Sequence, residues 1–243
     1  MREIHIYVDQ PLTANSRFML PPAAAHHVAK VLRLKPGQPL LLFNGEGGFY
    51  MATIDVIAGK QVQVQTEKQL QRQTESPLHI TLVQAISRGK HMDYTLQKAV
   101  ELGVQQIVPV ISARSQVRLN EERVAAKLEH WRGVLIAACE QSGRDRLPRL
   151  LPPQLLHDWL QLPASGLRLL LDPLAERGLR ALPAPASALI LVSGPEGGFS
   201  ADECHAAAAA GCTPVHLGPR ILRTETAAPA AITACQALWG DLS

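Results

Sequence analysis

The chain has 243 residues, 47% of them hydrophobic and 19% charged, with a mean hydropathy of +0.03. That composition excludes a disordered chain, which needs low hydrophobicity and high net charge, and it favours one or two domains. Apolar runs are short and interrupted, as in Leu167-Arg168-Leu169, so a spanning helix of roughly 18 or more residues, and with it a membrane partner, is not expected. Residues 1–12 lack the apolar core of a signal peptide, and the expected location is cytoplasmic.

Net charge is +3, with 17 Arg against 7 Lys. Arginine suits bidentate phosphate contact and stacking on bases; a GC-rich coding bias is the plainer source of the same balance. Cys139, Cys204, Cys212 and Cys235 form no CxxC pair and have no His at ligand spacing, so they read as reduced, buried thiols and no metal is expected. The pair His26-His27 has no second cluster to complete a metal site.

In chain order, Ile4–Val8 alternates as a strand, and Ala23–Leu32 reads as a helix. Leu40–Phe43 is a short apolar strand, followed by Asn44-Gly45-Glu46-Gly47-Gly48, strong hairpin chemistry, and then by the β-rich Phe49–Ile57. Val62–Thr66 alternates again. Residues 1–72 therefore read as a small β-barrel-like domain, and residues 73–77, polar and closed by Pro77, read as a linker.

From there strands alternate with helices. The strands are His79–Ile86, Ile107–Ile111, Leu169–Leu171, Leu189–Val192 and Pro214–Leu217. The helices are Asp93–Leu102, ended by Gly103, then Glu121–Gln141, Ser200–Ala210 and Glu225–Trp239. Ser200 with Glu203 is a capping box. The pattern makes residues 73–243 an α/β domain, a parallel sheet covered by helices on both faces. Charge divides at the same boundary: residues 1–72 hold eight Lys and Arg against five Asp and Glu, and residues 73–243 hold sixteen of each.

Three strand ends carry candidate chemistry. Ser193-Gly194-Pro195-Glu196-Gly197-Gly198-Phe199 follows a strand and precedes a capped helix, where α/β sheets bind ligands; an ordinary glycine-rich connection is the plain alternative. It is neither a P-loop nor a dinucleotide fingerprint. Leu217–Ala227 places Arg220, Arg223, Thr224, Glu225 and Thr226 in one loop. Helix capping by Thr224, with Glu225 on the helix dipole, would explain two of these and neither arginine. Leu169–Pro173 is the third strand end. A separate group, Arg114-Ser115 with Glu140–Arg146, reads either as a solvated helix end or as phosphate and base contacts.

GPEGGF at 194–199 with LGPRILRTETA at 217–227 resembles the signature of the RsmE family, the ribosomal RNA uridine-N3 methyltransferases of the SPOUT class. His27–Arg33, Gln97–Val104, Arg114-Ser115 and Glu140–Arg144 match in the same order over nearly the whole chain. The resemblance implies a PUA-like RNA-binding barrel, then a SPOUT domain whose C-terminal segment is threaded into a trefoil knot, although knotted chains are rare exceptions. It implies a homodimer using S-adenosylmethionine (SAM), with 16S rRNA in the 30S subunit as its partner and no role for DNA.

Candidate cofactor contacts are Leu171; Ser193, Gly194, Pro195, Glu196, Gly197 and Gly198; and Leu217, Gly218, Ile221, Leu222, Arg223 and Thr226. Removing the proton on uracil N3 asks for a base, for which Glu140 and Glu225 are the candidates. Stabilising charge on O2 and O4 asks for cations, for which Arg114 and Arg223 stand. Arg17, Lys30, Arg33, Arg114, Arg144 and Arg220 are the candidate RNA contacts. Two alternatives are a non-catalytic RNA-binding or ribosome-assembly protein and a SPOUT enzyme acting on another RNA such as tRNA.

Overall fold

The computed structural model describes residues 3–115, 121–163, 165–186 and 188–242. The chain forms two compact units: the residues up to Glu75 with Ile136–Leu147, and Ser76–Leu135 with the residues from Pro148 onward. Residues 136–147, which the sequence pattern groups with the C-terminal region, thus belong to the first unit.

In that unit β1 (His5–Tyr7), β2 (Arg17–Met19), β3 (Pro39–Phe43), β4 (Phe49–Ala58) and β5 (Gln61–Leu70) form one sheet in the order β1-β3-β4-β5-β2. The glycine-rich turn joins β3 and β4 as an antiparallel pair, β1 runs parallel to β3, and two register shifts bend β4 against β5. The sheet wraps a core of Ile6, Val8, Leu42, Ile54, Val62 and Val64. Among the described residues β1 and β2 share no ladder, so backbone pairing does not close the expected barrel. Strand β2 escapes sequence reading because three residues are too few to show a period. The helix expected at Ala23–Leu32 is α1 (Pro22–His26), with Pro at the first helical position, continuing as a π-helical turn over His27–Val31. The Leu32 N–H there donates to the His27 carbonyl.

The second unit is a parallel sheet of β6 (His79–Ala85), β7 (Gln106–Ile111), β8 (Arg149–Leu150), β10 (Leu167–Leu171), β11 (Ala188–Ser193) and β12 (Thr213–Val215), in the order β12-β10-β11-β6-β7-β8. The short β9 (Gln154–Leu155) also pairs with β7. Strands β6 and β11 are buried along nearly their whole length, as a sheet covered on both faces requires. Val83, Val108, Ile190 and Val192 face α4 (Leu156–Leu160) and α5 (Ala201–Ala209). Their strand neighbours alternate to the opposite face, where α6 (Thr224–Trp239) packs on β6 and β11 and against α2 (Gly89–Glu101). Buried Arg168 fits this core because its guanidinium donates to the Ala210 and Leu162 carbonyls and lies 5.0 Å from the centre of the Trp159 ring. Helix α3 (Glu121–Ser142) completes the described elements. Among the described residues no helix is long and apolar enough to cross a membrane.

Candidate active site

The carboxyl ends of β10, β11 and β12 and the first turns of α2 and α6 enclose a cavity of about 520 Å³, within the ~300–1,000 Å³ of ordinary ligand pockets. From the three predicted loops it takes Leu171; Ser193 through Gly198; and Leu217, Ile221, Leu222 and Arg223, with Arg114, Arg220 and Glu225. Gly218 and Thr226 are not among the lining residues. Gly218 shapes its loop, at φ +98°, with its N–H donating to His216 Nδ1 at 3.0 Å. The Thr226 N–H closes the first turn of α6 on the Arg223 carbonyl, and its side chain is exposed.

The glycine loop is held from three sides. The Thr224 hydroxyl donates to the Gly194 carbonyl at 2.8 Å, the Arg114 guanidinium donates to the Gly197 carbonyl at 2.8 Å, and the Arg88 N–H donates to Glu196 Oε1 at 2.9 Å. Thr224 therefore ties one ligand loop to the other and does not cap α6, whose cap residue, Arg223, makes no side-chain cap. A Cβ at Gly194 would come within 3.3 Å of the Phe199 ring, and Gly198 sits at φ +67°, so both positions favour glycine. The expected capping box of Ser200 and Glu203 is formed, and Glu203 Oε1 also accepts from the Ala113 N–H at 2.7 Å, fixing the turn that carries Arg114.

Beneath the loops, Ser193 is 1% exposed and its hydroxyl has no partner among the described residues, as is also true of Oε1 of buried Gln84, its register partner on β6. Buried polar atoms left unpaired are uncommon; His5 Nε2, Thr74 Oγ1 and Arg168 Nε, none of them in a cavity-lining residue, share that state among the described residues. Arg220 and Arg223 are exposed and have no ion-pair partner among the described residues. Glu225 lies 3.1 Å from Nδ1 of His91, which also lines the cavity. Sequence reading missed His91 because it started the helix at Asp93. Gly89, at φ +43°, and Arg88, extended at φ −73° and ψ 130°, start it earlier. Asp172 and Thr224 were legible as loop members, but not their contacts. Cys204 is at the wall with its thiol pushed up by burial, while Cys139 and Cys235 are pushed up by burial to about 12. Among the described residues no group of three or more His, Cys, Asp or Glu is placed to hold a metal.

The remaining candidates lie in the first unit. Glu140 does not line the cavity; its Oε1 accepts from the Tyr7 N–H at 3.0 Å and its carbonyl pairs with His5 Nδ1 at 3.0 Å. Burial pushes its carboxyl above the ordinary range, against the lowering pull of the Tyr7 N–H, His27 and His5. Arg144, expected on RNA, is buried instead and forks onto Glu75, Nε to Oε1 at 2.8 Å. Arg17 is exposed and pairs with Asp55 at 2.9 Å, and Lys30 and Arg33 are exposed on and just after the π-helical turn.

Comparison with known proteins gives this geometry a class. An RNA methyltransferase domain matches residues 74–236, and an RNA methyltransferase PUA domain matches residues 20–67. The chain is thus of the class of RNA methyltransferases with a PUA domain. The ribosomal RNA small subunit methyltransferase E of Buchnera aphidicola (subsp. Acyrthosiphon pisum) is 34% identical over 97% of this chain and 94% of its own length. The solved structure of the Neisseria gonorrhoeae protein of that name, bound to S-adenosyl methionine, superposes with a TM-score of 0.93 at 39% identity, covering all of both chains. A Legionella pneumophila protein solved in complex with SAM gives 0.97 at 40% identity, again over all of both chains. The chain belongs to the ribosomal RNA small subunit methyltransferase E family, the RsmE family.

Proposed function

We propose that this chain is a SAM-dependent methyltransferase that methylates N3 of a specific uridine in 16S rRNA, acting in the cytoplasm on the assembled small subunit. The observation that carries the reading is the cavity built by the Ser193–Gly198 and Leu217–Arg223 loops, in a chain similar over its whole length to two proteins solved with SAM. The residues present fit that group. The cavity has the volume, Leu171, Leu217 and Leu222 offer apolar wall, and the glycine loop keeps its backbone open at Gly198, while Gly197 packs against the Arg114 side chain. The buried, unpartnered Ser193 hydroxyl offers a hydrogen bond to a ligand.

When bound, SAM supplies a methyl group already activated by its sulfonium. The chain's own part is alignment, proton removal and charge stabilisation. Holding the partners in line can supply on the order of 7–11 kcal/mol of barrier lowering. Arg114 and Arg223, which line the cavity, would stabilise charge developing on uracil O2 and O4. Of the two candidate carboxylates, Glu225 lines the cavity. N3 lies on the Watson–Crick edge, so the target base must be unpaired when it reacts.

Three further features belong to this reading. Residues 1–72 would hold rRNA, with Lys30, Arg33 and Arg17 on phosphates, and residues 73–243 would carry the reaction. The C-terminal knot is supported by the chain path: it leaves for edge strand β12, then returns to pack α6 on β6, on β11 and on the turn at Leu179–Ala181. A homodimer is supported by Leu174 and Ile221, large apolar side chains 87% and 84% exposed beside the cavity.

The test is calorimetric titration with SAM, then methylation of small subunits from a strain lacking the enzyme, with mass mapping of the product. N3-methyluridine in 16S rRNA is expected; a methyl on another base or another RNA, or no SAM uptake, overturns the reading. Gly198→Val, which forces a β-branched residue to φ +67° at a cost of ~1–2 kcal/mol, should weaken SAM binding about tenfold. Undiminished affinity would sink the loop assignment.

A further inference from the structure

We propose that His91 is the proton acceptor of the reaction and Glu225 the carboxylate that orients it. The inference rests on the uridine-N3 reading above and names the base that reading needs. His91 stands in the first turn of α2 and lines the same cavity as Arg114, Arg223 and the glycine loop. Its Nδ1 is 3.1 Å from Glu225 Oε1. An ionised carboxylate can only accept, so it favours the tautomer whose Nδ1 carries the hydrogen. That leaves the lone pair on Nε2, which has no partner among the described residues. The ring is 44% exposed, so it is reachable from the cavity, whereas Glu225, 19% exposed, is the more enclosed of the pair. A base oriented by a third group is the arrangement nucleophile activation uses generally.

The N3–H proton passes to His91 Nε2 and its electron pair stays on nitrogen, which forms the bond to the methyl carbon. The carbon–sulfur bond breaks with its pair kept by sulfur, so the sulfonium becomes a neutral thioether. The imidazolium, steadied by Glu225, returns its proton to solvent. The charged groups sharing the cavity with His91 are Glu225 of α6, Arg220 and Arg223 of its loop, Glu196 of the glycine loop, Arg114 after β7 and Asp172 after β10. Its own helix adds Lys90 and Asp93, with Arg88 at its start.

The experiment has two arms. In the free, unmodified protein, long-range ¹⁵N correlation spectra of the imidazoles, with His91→Gln as the assignment control, should show His91 protonated at Nδ1 in its neutral form. A neutral His91 protonated at Nε2 would overturn the inference without any turnover measurement. In single-turnover methyl transfer, the parent rate should fall as the pH is lowered, as a reaction that needs an unprotonated base does. His91→Gln should slow the reaction about 10²-fold or more and remove that acid limb, with SAM affinity by calorimetry held within about twofold. His91→Ala should regain part of its rate with added imidazole. A His91→Gln rate within a few-fold of the parent, with the acid limb intact, overturns the inference while leaving the uridine-N3 reading standing. An unmodified protein that makes no N3-methyluridine overturns both.

Discussion

In the segment Ile136–Leu147, Glu140, Arg144 and Asp145 each end on a partner inside their own unit: the Tyr7 N–H, the Glu75 carboxylate and the Gly48 N–H. At the strand-end cavity, Arg220, Arg223, Glu225 and His91 are a group of similar composition, yet two of the four have no ionic partner among the described residues and all four line the pocket. In sequence both groups read as arginines beside carboxylates near a helix end. The difference teaches that charge near a turn says nothing of its use until burial is known. A buried charge must be paired and hydrogen-bonded, so it is consumed by the fold, while an exposed one remains available to a ligand.

The contrast breaks most easily at its largest effect. Arg144→Met leaves the Glu75 carboxylate without its fork and should cost about 3 kcal/mol in urea unfolding. The matching change Arg223→Met, at an exposed position, should stay within about 0.5 kcal/mol of the parent while lowering methyl transfer. Equal losses of stability would erase the distinction between the two groups.

Ser193→Ala sharpens it at the next level. Removing a buried hydroxyl that has no partner should leave the free protein as stable as before or slightly more so. If the hydroxyl faces the ligand, SAM affinity should fall about fivefold, or about 1 kcal/mol, in calorimetry. A loss of stability with unchanged affinity would move Ser193 to the structural side.

The smallest effect is pH-linked. Burial raises the folded-state value of Glu140 above its unfolded one, so the folded state favours the protonated form. Its contribution to stability is therefore present at low pH and is lost as pH rises through the raised value. Glu140→Gln should raise Tm relative to the parent at pH 8, with the gain shrinking to nothing below the ordinary carboxylate range. A gain that is the same at both ends would show that Glu140 ionisation has no part in it.

Charge follows the same logic. The +3 assigned to residues 1–72 becomes ten Lys and Arg against eight Asp and Glu once Glu75 and Ile136–Leu147 join that unit, since Glu75 adds a negative charge and Ile136–Leu147 is balanced. The first unit keeps most of the excess, which suits docking on phosphates, but by a smaller margin than a linear cut implies.

Much of the fold was legible because it depends on local physics. The five strands foreseen in the C-terminal region, its four helices, the capping box at Ser200 and the hairpin at Asn44–Gly48 are specified by hydrophobic period, cap chemistry and glycine placement within a few residues of chain. The loops of the site were legible too, because two unusual motifs follow strands, where parallel sheets bind ligands. Contacts between residues far apart in sequence were not. That Thr224 ties its loop to Gly194, that His91 meets Glu225, and that Arg144 is consumed by Glu75 each depend on separations of 30, 134 and 69 residues. The sequence by itself determined most of the elements and the strand ends where the candidate ligand loops fall. Only the tertiary structure decided which charges are buried and paired, because burial and pairing are set by what the rest of the chain packs around each group.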